Sequence, residues 1–253
     1  MDLFAGIIVR DQVLWLVCGV FYFIDNFRHS EARKFIMAEG LNGQWAPIFP
    51  MYGYRFGRRP VVILNLFLPW LAAIPMHWLT PSAFEPRHLR CSQRLLRVYQ
   101  RRIGALRILS TFLFVLLFVI GPSVTYKFGL TFGILVVLPS HVAAMLLLIG
   151  LLIWDRRFWG MSWMKITALA FECAVCPGIF VNVCGKVTLA HASVNGDAIA
   201  YSLVYGGSDL VTTIGRRFEL LIEDLRENGE LQSLDEPLIA EYRLRLRETI
   251  DDG

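Results

Sequence analysis

The chain has 253 residues, 55% hydrophobic, 13% aromatic and only 18% charged, with a mean hydropathy of +0.50, a balance that points to a membrane protein. It excludes a disordered tail, a collagen-like fibre and a coiled coil, and five cysteines without an extracellular spacing pattern exclude a disulfide-stapled miniature domain. Residues 1–185 carry 18 basic and 8 acidic side chains, whereas 186–253 carry 7 and 13, so the expected organisation is a helical membrane domain, 1–185, followed by an acidic helical tail, 186–253.

The first apolar run, 12–24, has only 13 residues between Asp11 and Asp25. A spanning helix needs about 20, so this one spans only if it continues back through Arg10 and Asp11. No basic region precedes it and no small-residue cleavage site follows it, which reads as an anchor and not a removable signal peptide. The loop 25–59 mixes arginine with aromatics, proline and glycine, as in Arg33-Lys34-Phe35-Ile36 and in 45–60, where Trp45, Pro50, Tyr54 and Arg59 stand. That mixture suits an ordered surface at the headgroup level or an aromatic and arginine hot spot for a partner subunit. The next run, 60–84, is long enough to span but contains Asn65, Pro69, Pro75, His77 and Pro81. Helical hydrogen bonds are lost at each proline, which kinks the segment.

Between Glu85 and Arg107 the arginines at 87, 90, 94, 97 and 101 step by three and four residues, which places all five on one face of a helix. Leu89, Leu95, Leu96, Tyr99, Ile103 and Leu106 lie opposite. A helix lying in the headgroup layer with its apolar side down has this pattern; a positive-inside flank that happens to be helical explains it as well, and the candidate contacts are anionic phospholipid and, after it, an acidic protein. No aromatic interleaving marks a stacking platform, so no specific nucleic acid is expected.

Runs 108–126 and 128–154 contain Leu, Val, Phe and Ile stretches and no charge, and are expected to form a helical hairpin joined around Lys127. Pro122 and Pro139 are tolerated where neighbouring helices satisfy the freed carbonyls. The run 158–185 is broken by Lys165, Glu172, Pro177 and Asn182, and belongs against protein and not lipid. In the tail, Ser208-Asp209 offers an N-cap to a helix ending at Gly229, and Ser233 with Glu236 offers a capping box to a second. Both have narrow apolar stripes and need something to pack on: the chain's own loops or a partner subunit.

Short basic loops stay cytoplasmic, and the loops 25–59 and 85–107 carry six and seven basic residues. Only 60–84 separates them, so this segment is expected to be re-entrant or interfacial. The N-terminus and Lys127 then lie outside and Asp155-Arg156-Arg157 inside.

Chemistry is sparse. Cys173-Ala-Val-Cys176-Pro177 is a C-x-x-C pair, but Cys18, Cys91 and Cys184 form no second pair to relay electrons and no histidine stands at ligand spacing. His77 and His141 lie within or beside apolar runs, where haem ligation is built, yet their depths do not match. Lys165 and Glu172 share a helix face two turns apart, too far to pair, and each needs a partner elsewhere. No phosphate-binding, dinucleotide, metalloprotease or nucleophile-elbow motif is present. The expected fold class is therefore an all-α polytopic membrane protein with about four spanning helices, a re-entrant segment, a basic amphipathic helix and a C-terminal helical hairpin. The expected function is that of a non-catalytic subunit of a bacterial inner-membrane assembly for secretion, conjugative transfer or biogenesis, with other membrane subunits and anionic phospholipid as partners. No catalytic, cofactor or metal residues are expected. The alternatives are a thiol or quinone redox protein using Cys173 and Cys176, and a channel or carrier using Lys165 and Glu172.

Overall fold

The computed structural model describes residues 2–29, 34–40, 43–49, 55–56, 59–64, 68–80, 83–192, 194–229, 231 and 235–251. The chain is mostly helical, at 72%, but it is not all-α. Strands β1 (Phe27–His29), β2 (Lys34–Glu39), β3 (Trp45–Ile48), β4 (Arg55–Phe56), β5 (Arg59–Ile63) and β6 (Ala73–His77) follow helix α1 (Asp2–Asp25). Then come α2 (Pro86–Arg102), α3 (Gly104–Val115), a π-helical turn (Leu116–Ile120), α4 (Gly121–Phe128), α5 (Leu130–Trp154), α6 (Trp163–Val175), α7 (Pro177–Val181) and α8 (Val183–His191). Strand β7 (Val194–Asp197) precedes α9 (Ala198–Tyr205), α10 (Ser208–Glu227) and α11 (Glu236–Asp251). Two compact units emerge: one of Met1–Phe27, Asn65–Leu71 and Arg102–His191, the other of Arg28–Leu64, Ala72–Arg101 and Ala192–Gly253. The units interleave along the chain, so the first is largely an excursion between α2 and β7 of the second.

In the first unit, Gly104–Phe128 and Leu130–Trp154 are each 25 residues and are the two described helices long and apolar enough to cross a membrane. Four spans were expected; two meet that test. Pro122 lies in the first turn of α4, directly after the π-helical turn, where the Gly121 amide donates to the Leu116 carbonyl. Widening the helix by one residue is a common way to absorb such a break. The two long helices are joined by Gly129 at φ 84°, a left-handed position that only glycine adopts freely, so the hairpin turns two residues beyond Lys127. At the other end of the hairpin the Arg102 guanidinium donates to Asp155 at 3.0 Å and lies over the Phe158 ring. Helix α1 runs antiparallel to α3 and α4: Trp15 donates to Thr125 Oγ1 at 2.9 Å, and Tyr22 stacks near Phe114 and Phe118. Gly121 permits this approach, because a Cβ there would stand 2.7 Å from the Trp15 ring.

The second unit holds a four-stranded sheet in the order β3-β2-β6-β7 and a small sheet in the order β1-β5-β4. Strand β2 is buried from Phe35 to Glu39, as expected for a central strand covered on both faces. It pairs antiparallel with β3 and β6, while β7 joins β6 in parallel through Met76 and His77 only. Here the expectation for 60–84 is corrected. This segment is not a proline-broken membrane helix: Pro75 sits in β6 opposite Ile36, at a point where β6 is laddered to β2 alone. Pro47 falls in edge strand β3, the usual place for a strand proline. Short apolar runs interrupted by proline fit a buried strand as well as a kinked helix, and sequence period does not separate the two. Asn65 and Pro81, and in the preceding loop Arg33, Pro50, Tyr54 and Arg58, lie outside the described residues, as does Ser233 of the expected capping box.

Aromatic rings carry the second unit's core from sheet to helices. Phe35 meets Trp78 at 5.4 Å, Trp78 meets Phe218 of α10 at 6.4 Å, and Phe218 meets Tyr242 of α11 at 6.0 Å. The acidic tail's helical hairpin thus buries Val211, Ile214, Phe218, Ile222 and Leu225, with Ile239, Tyr242 and Leu246, inside its own unit. Burying each large side chain contributes about 1.5–3 kcal/mol.

Candidate functional site

The most distinctive surface of the second unit is α2. Arg87, Arg90, Arg94, Arg97 and Arg101 are all exposed, and none has a carboxylate partner among the described residues. The opposite face is not free to enter a headgroup layer, which corrects the expected seating of this helix. Leu89 and Leu96 are buried, at 6% and 1% exposure, and Ser92 is buried with them. Gln100 donates to the Glu39 carboxylate of β2. Gly196 of β7 packs so closely on α2 that any Cβ would collide with the Ser92 hydroxyl. The arginines are therefore held outward on a helix whose roll is fixed by packing.

Beside the N-terminal half of α2 lies a cleft of about 250 Å³ lined by His77, Thr80, His88, Ser92, Asn195 and Asp197 among others. Asp197 looks like an acid poised for chemistry, but its oxygens are fully engaged. One accepts from the Ile199 and Ala200 amides at 3.0 and 2.9 Å, capping α9. The other accepts from the Thr80 amide and hydroxyl, at 3.2 and 3.1 Å, and from the Tyr242 hydroxyl. Burial pushes the carboxyl above its ordinary value while these donors oppose the rise. Burial and the neighbouring Asp197 push the Tyr242 hydroxyl up, so it remains a donor. Leu79, at φ 54°, takes the left-handed conformation disfavoured for a side-chain-bearing residue and turns the chain just before Thr80. Asp197 is thus a joint between strand β7, the Thr80 turn and α11. Ser92 donates to the His88 carbonyl, and His88 reaches Glu85 at 3.5 Å.

In the first unit, of the two charges expected to need partners, Glu172 finds one in Lys186, whereas Lys165 has no ion pair among the described residues. Lys186 of α8 pairs with Asp25 at the end of α1 at 3.3 Å and with Glu172 of α6 at 2.8 Å. Asn182 donates to the same Asp25 carboxylate at 3.1 Å. Lys165 is exposed, and its amide is the one that the Ser162 hydroxyl caps at the start of α6. All five cysteines are free: Cys18, Cys173 and Cys184 buried, Cys176 half-buried at the break between α6 and α7, and Cys91 exposed on α2. Cys184 donates to the Trp70 carbonyl at 3.5 Å. His141 is buried edge-on against Phe180 in the first unit, whereas His77 belongs to β6 of the second. Among the described residues no group of three or more His, Cys, Asp or Glu side chains is placed to hold a metal.

No family model matches the chain, and no curated protein or solved structure is detectably similar to it. Lys186, Asp25, Asp197 and Tyr242 were not legible as partners in the sequence. Asp197 before the apolar Ala198-Ile199-Ala200 carries an N-cap signal for α9, but nothing along the chain announces Thr80 or Tyr242 as its other donors.

Proposed function

We propose that the chain is a non-catalytic, multi-pass subunit of a bacterial inner-membrane assembly, of the secretion, conjugative-transfer or biogenesis kind. The observation that carries this reading is the outer side of α5. Leu135, Leu138, Leu146 and Leu147 are exposed there at 66%, 57%, 67% and 55%, while Val137, Ala144, Leu148 and Leu152 close the inner side. Lipid tails or other apolar helices are the only surroundings in which such a face is favourable. Helix α1 supports a third crossing. It packs antiparallel on α3 and α4, with Trp15 against Thr125 and Tyr22 against Phe114 and Phe118. Along its apolar run 12–24, Val13, Leu16, Val20 and Ile24 are exposed, a face suited to lipid. The Arg102 to Asp155 pair brings Arg102, Arg156 and Arg157 to one end of the hairpin, which favours that end as cytoplasmic.

Two measurements test this. The chain should stay in the membrane pellet through alkaline carbonate extraction, and native mass spectrometry of the protein in mild detergent should show a defined heteromeric mass. Release by carbonate, or a monodisperse single chain with a turnover that depends on Cys173 and Cys176, would overturn the proposal.

A further inference from the structure

We propose that His141 and the two carbonyls at the broken end of α6 form a proton-binding site in the middle of the first unit. This goes beyond the subunit reading and does not rest on it. His141 is the twelfth of the 25 residues of α5 and is only 6% exposed. Its ring packs edge-on against Phe180 of α7, and the Cys173 and Ala174 carbonyls of α6 lie close enough to act on it. Yet neither Nδ1 nor Nε2 has a hydrogen-bond partner among the described residues. Folded proteins leave few buried polar groups in that condition, because the water they gave up is not replaced.

The local sequence explains why those carbonyls are free. Cys176 is extended, at φ −128° and ψ 94°, and ends the helix before α7 begins. The Cys176 amide donates to the Glu172 carbonyl, but the Ile179 and Phe180 amides turn to the Cys176 carbonyl instead. In a continuous helix the Cys173 carbonyl would take its donor from residue 177, and Pro177 has no N–H to give. Both carbonyls therefore stand at the negative end of the α6 dipole. A neutral imidazole offers one N–H and one lone pair, whereas two facing carbonyls only accept. Taking a proton from water turns that lone pair into a second N–H, so the imidazolium can serve both carbonyls and places its charge at the helix end. A metal ion fits less well, since no group of three or more ligating side chains is placed to hold one among the described residues. The charged groups on the helices packed against α5 lie elsewhere. Arg107 is in the first turn of α3, Lys127 follows Tyr126 in the last turn of α4, and α7 has none. On α6, Lys165 is in the first turn and Glu172 is held by Lys186, which leaves the Cys173 and Cys176 thiols as that helix's other titratable groups.

The test is nitrogen NMR on the full chain in mild detergent, with isotope in the rings of its five histidines. H141Q assigns the His141 ring by the signals it removes. As pH falls from about 8 to about 4.5, a window around the ordinary histidine value of about 6.5, the His141 ring should pass from one N–H to two, both shifted as donors to carbonyls are. P177A returns an amide to the Cys173 carbonyl and so takes one acceptor away from the ring. It should move the His141 midpoint down by about one pH unit, a tenfold loss of proton affinity, while the other four histidines titrate as in the parent. Amide exchange over 175–179, corrected for intrinsic rates, should slow on protonation in the parent and not in H141Q. A ring that keeps a single N–H across the whole window, or a P177A midpoint equal to the parent's, overturns the proposal and leaves His141 a packing residue. These readouts need no partner chain and no bilayer, so their failure leaves the subunit reading standing, and release of the chain by carbonate would leave the proton site standing.

Discussion

Asp197 and Lys186 show how a single buried charge is made tolerable, and each gives a test. Asp197 accepts from two helix amides, the Thr80 amide and hydroxyl, and the Tyr242 hydroxyl. Removing one donor from a buried carboxylate costs more than a neutral hydrogen bond is worth, because the oxygen it served stays dehydrated. Y242F should therefore lower stability by about 1–3 kcal/mol while keeping the ring's packing on Phe218, as measured by denaturant unfolding; an unchanged midpoint would show that Asp197 does not depend on that hydroxyl. Lys186 is 15% exposed and its partner Asp25 only 8%, whereas Glu172 is 52% exposed. K186M takes the cation from buried Asp25, leaving Asn182 as a neutral donor, and should destabilise by about 3 kcal/mol, but E172Q, at a solvent-facing partner, should cost less than about 1 kcal/mol. A large effect at Glu172 on ion or proton flux, with stability intact, would instead favour a conducting path.

At the scale of elements, the C-terminal hairpin of α10 and α11 separates apolar from electrostatic contributions. Its apolar stripes were readable from 3.6-residue spacing, and both are buried in the second unit. Between the helices, Arg243 donates to both oxygens of Glu219 at 2.8 and 2.7 Å. These bonds to Arg243 hold the Glu219 carboxyl below its ordinary value. A carboxyl depressed in the folded state contributes stability above its unfolded value of about 4.3 and loses it as pH falls through the lower folded one. The pair is solvent-exposed, so E219Q should cost only about 0.5 kcal/mol at neutral pH and nothing once pH has dropped well below 4. Thermal unfolding of parent and variant across that range checks the sign; a gap that widens on acidification would contradict it. For α2 the five-arginine arc was legible, but what its apolar face meets was not. Leucines repeating at helical spacing specify that a face is buried without saying whether lipid or a sheet buries it.

For the whole molecule, the membrane reading predicts which segments share a side. Gly43 and Cys91 both belong to the second unit, while Lys127 ends α4 at the turn of the hairpin. With an impermeant thiol reagent, G43C and native Cys91 should label from the same side of sealed vesicles and K127C from the other. Labelling of G43C and K127C from one side would mean that Gly104–Phe128 does not cross. The expectation that 60–84 leaves both basic loops on one side is tested by the same labelling, with the segment's described residues now including strands β5 and β6.

The sequence by itself determined the elements that depend on local composition and period: the long apolar hairpin, the arginine arc and the amphipathic tail helices are stated by which residues recur at 3.6-residue spacing or by unbroken apolar length. Tertiary structure alone decided the rest. The sheet required β6 and β7 to meet across more than a hundred intervening residues, and such pairing is set by hydrogen bonds and burial between strands distant in sequence. Asp25 had to find Lys186, and Asp197 had to find Thr80 and Tyr242, by the same long-range closure. Those partners are chosen by where packed backbones bring polar atoms together, and a buried charge announces only that it needs one.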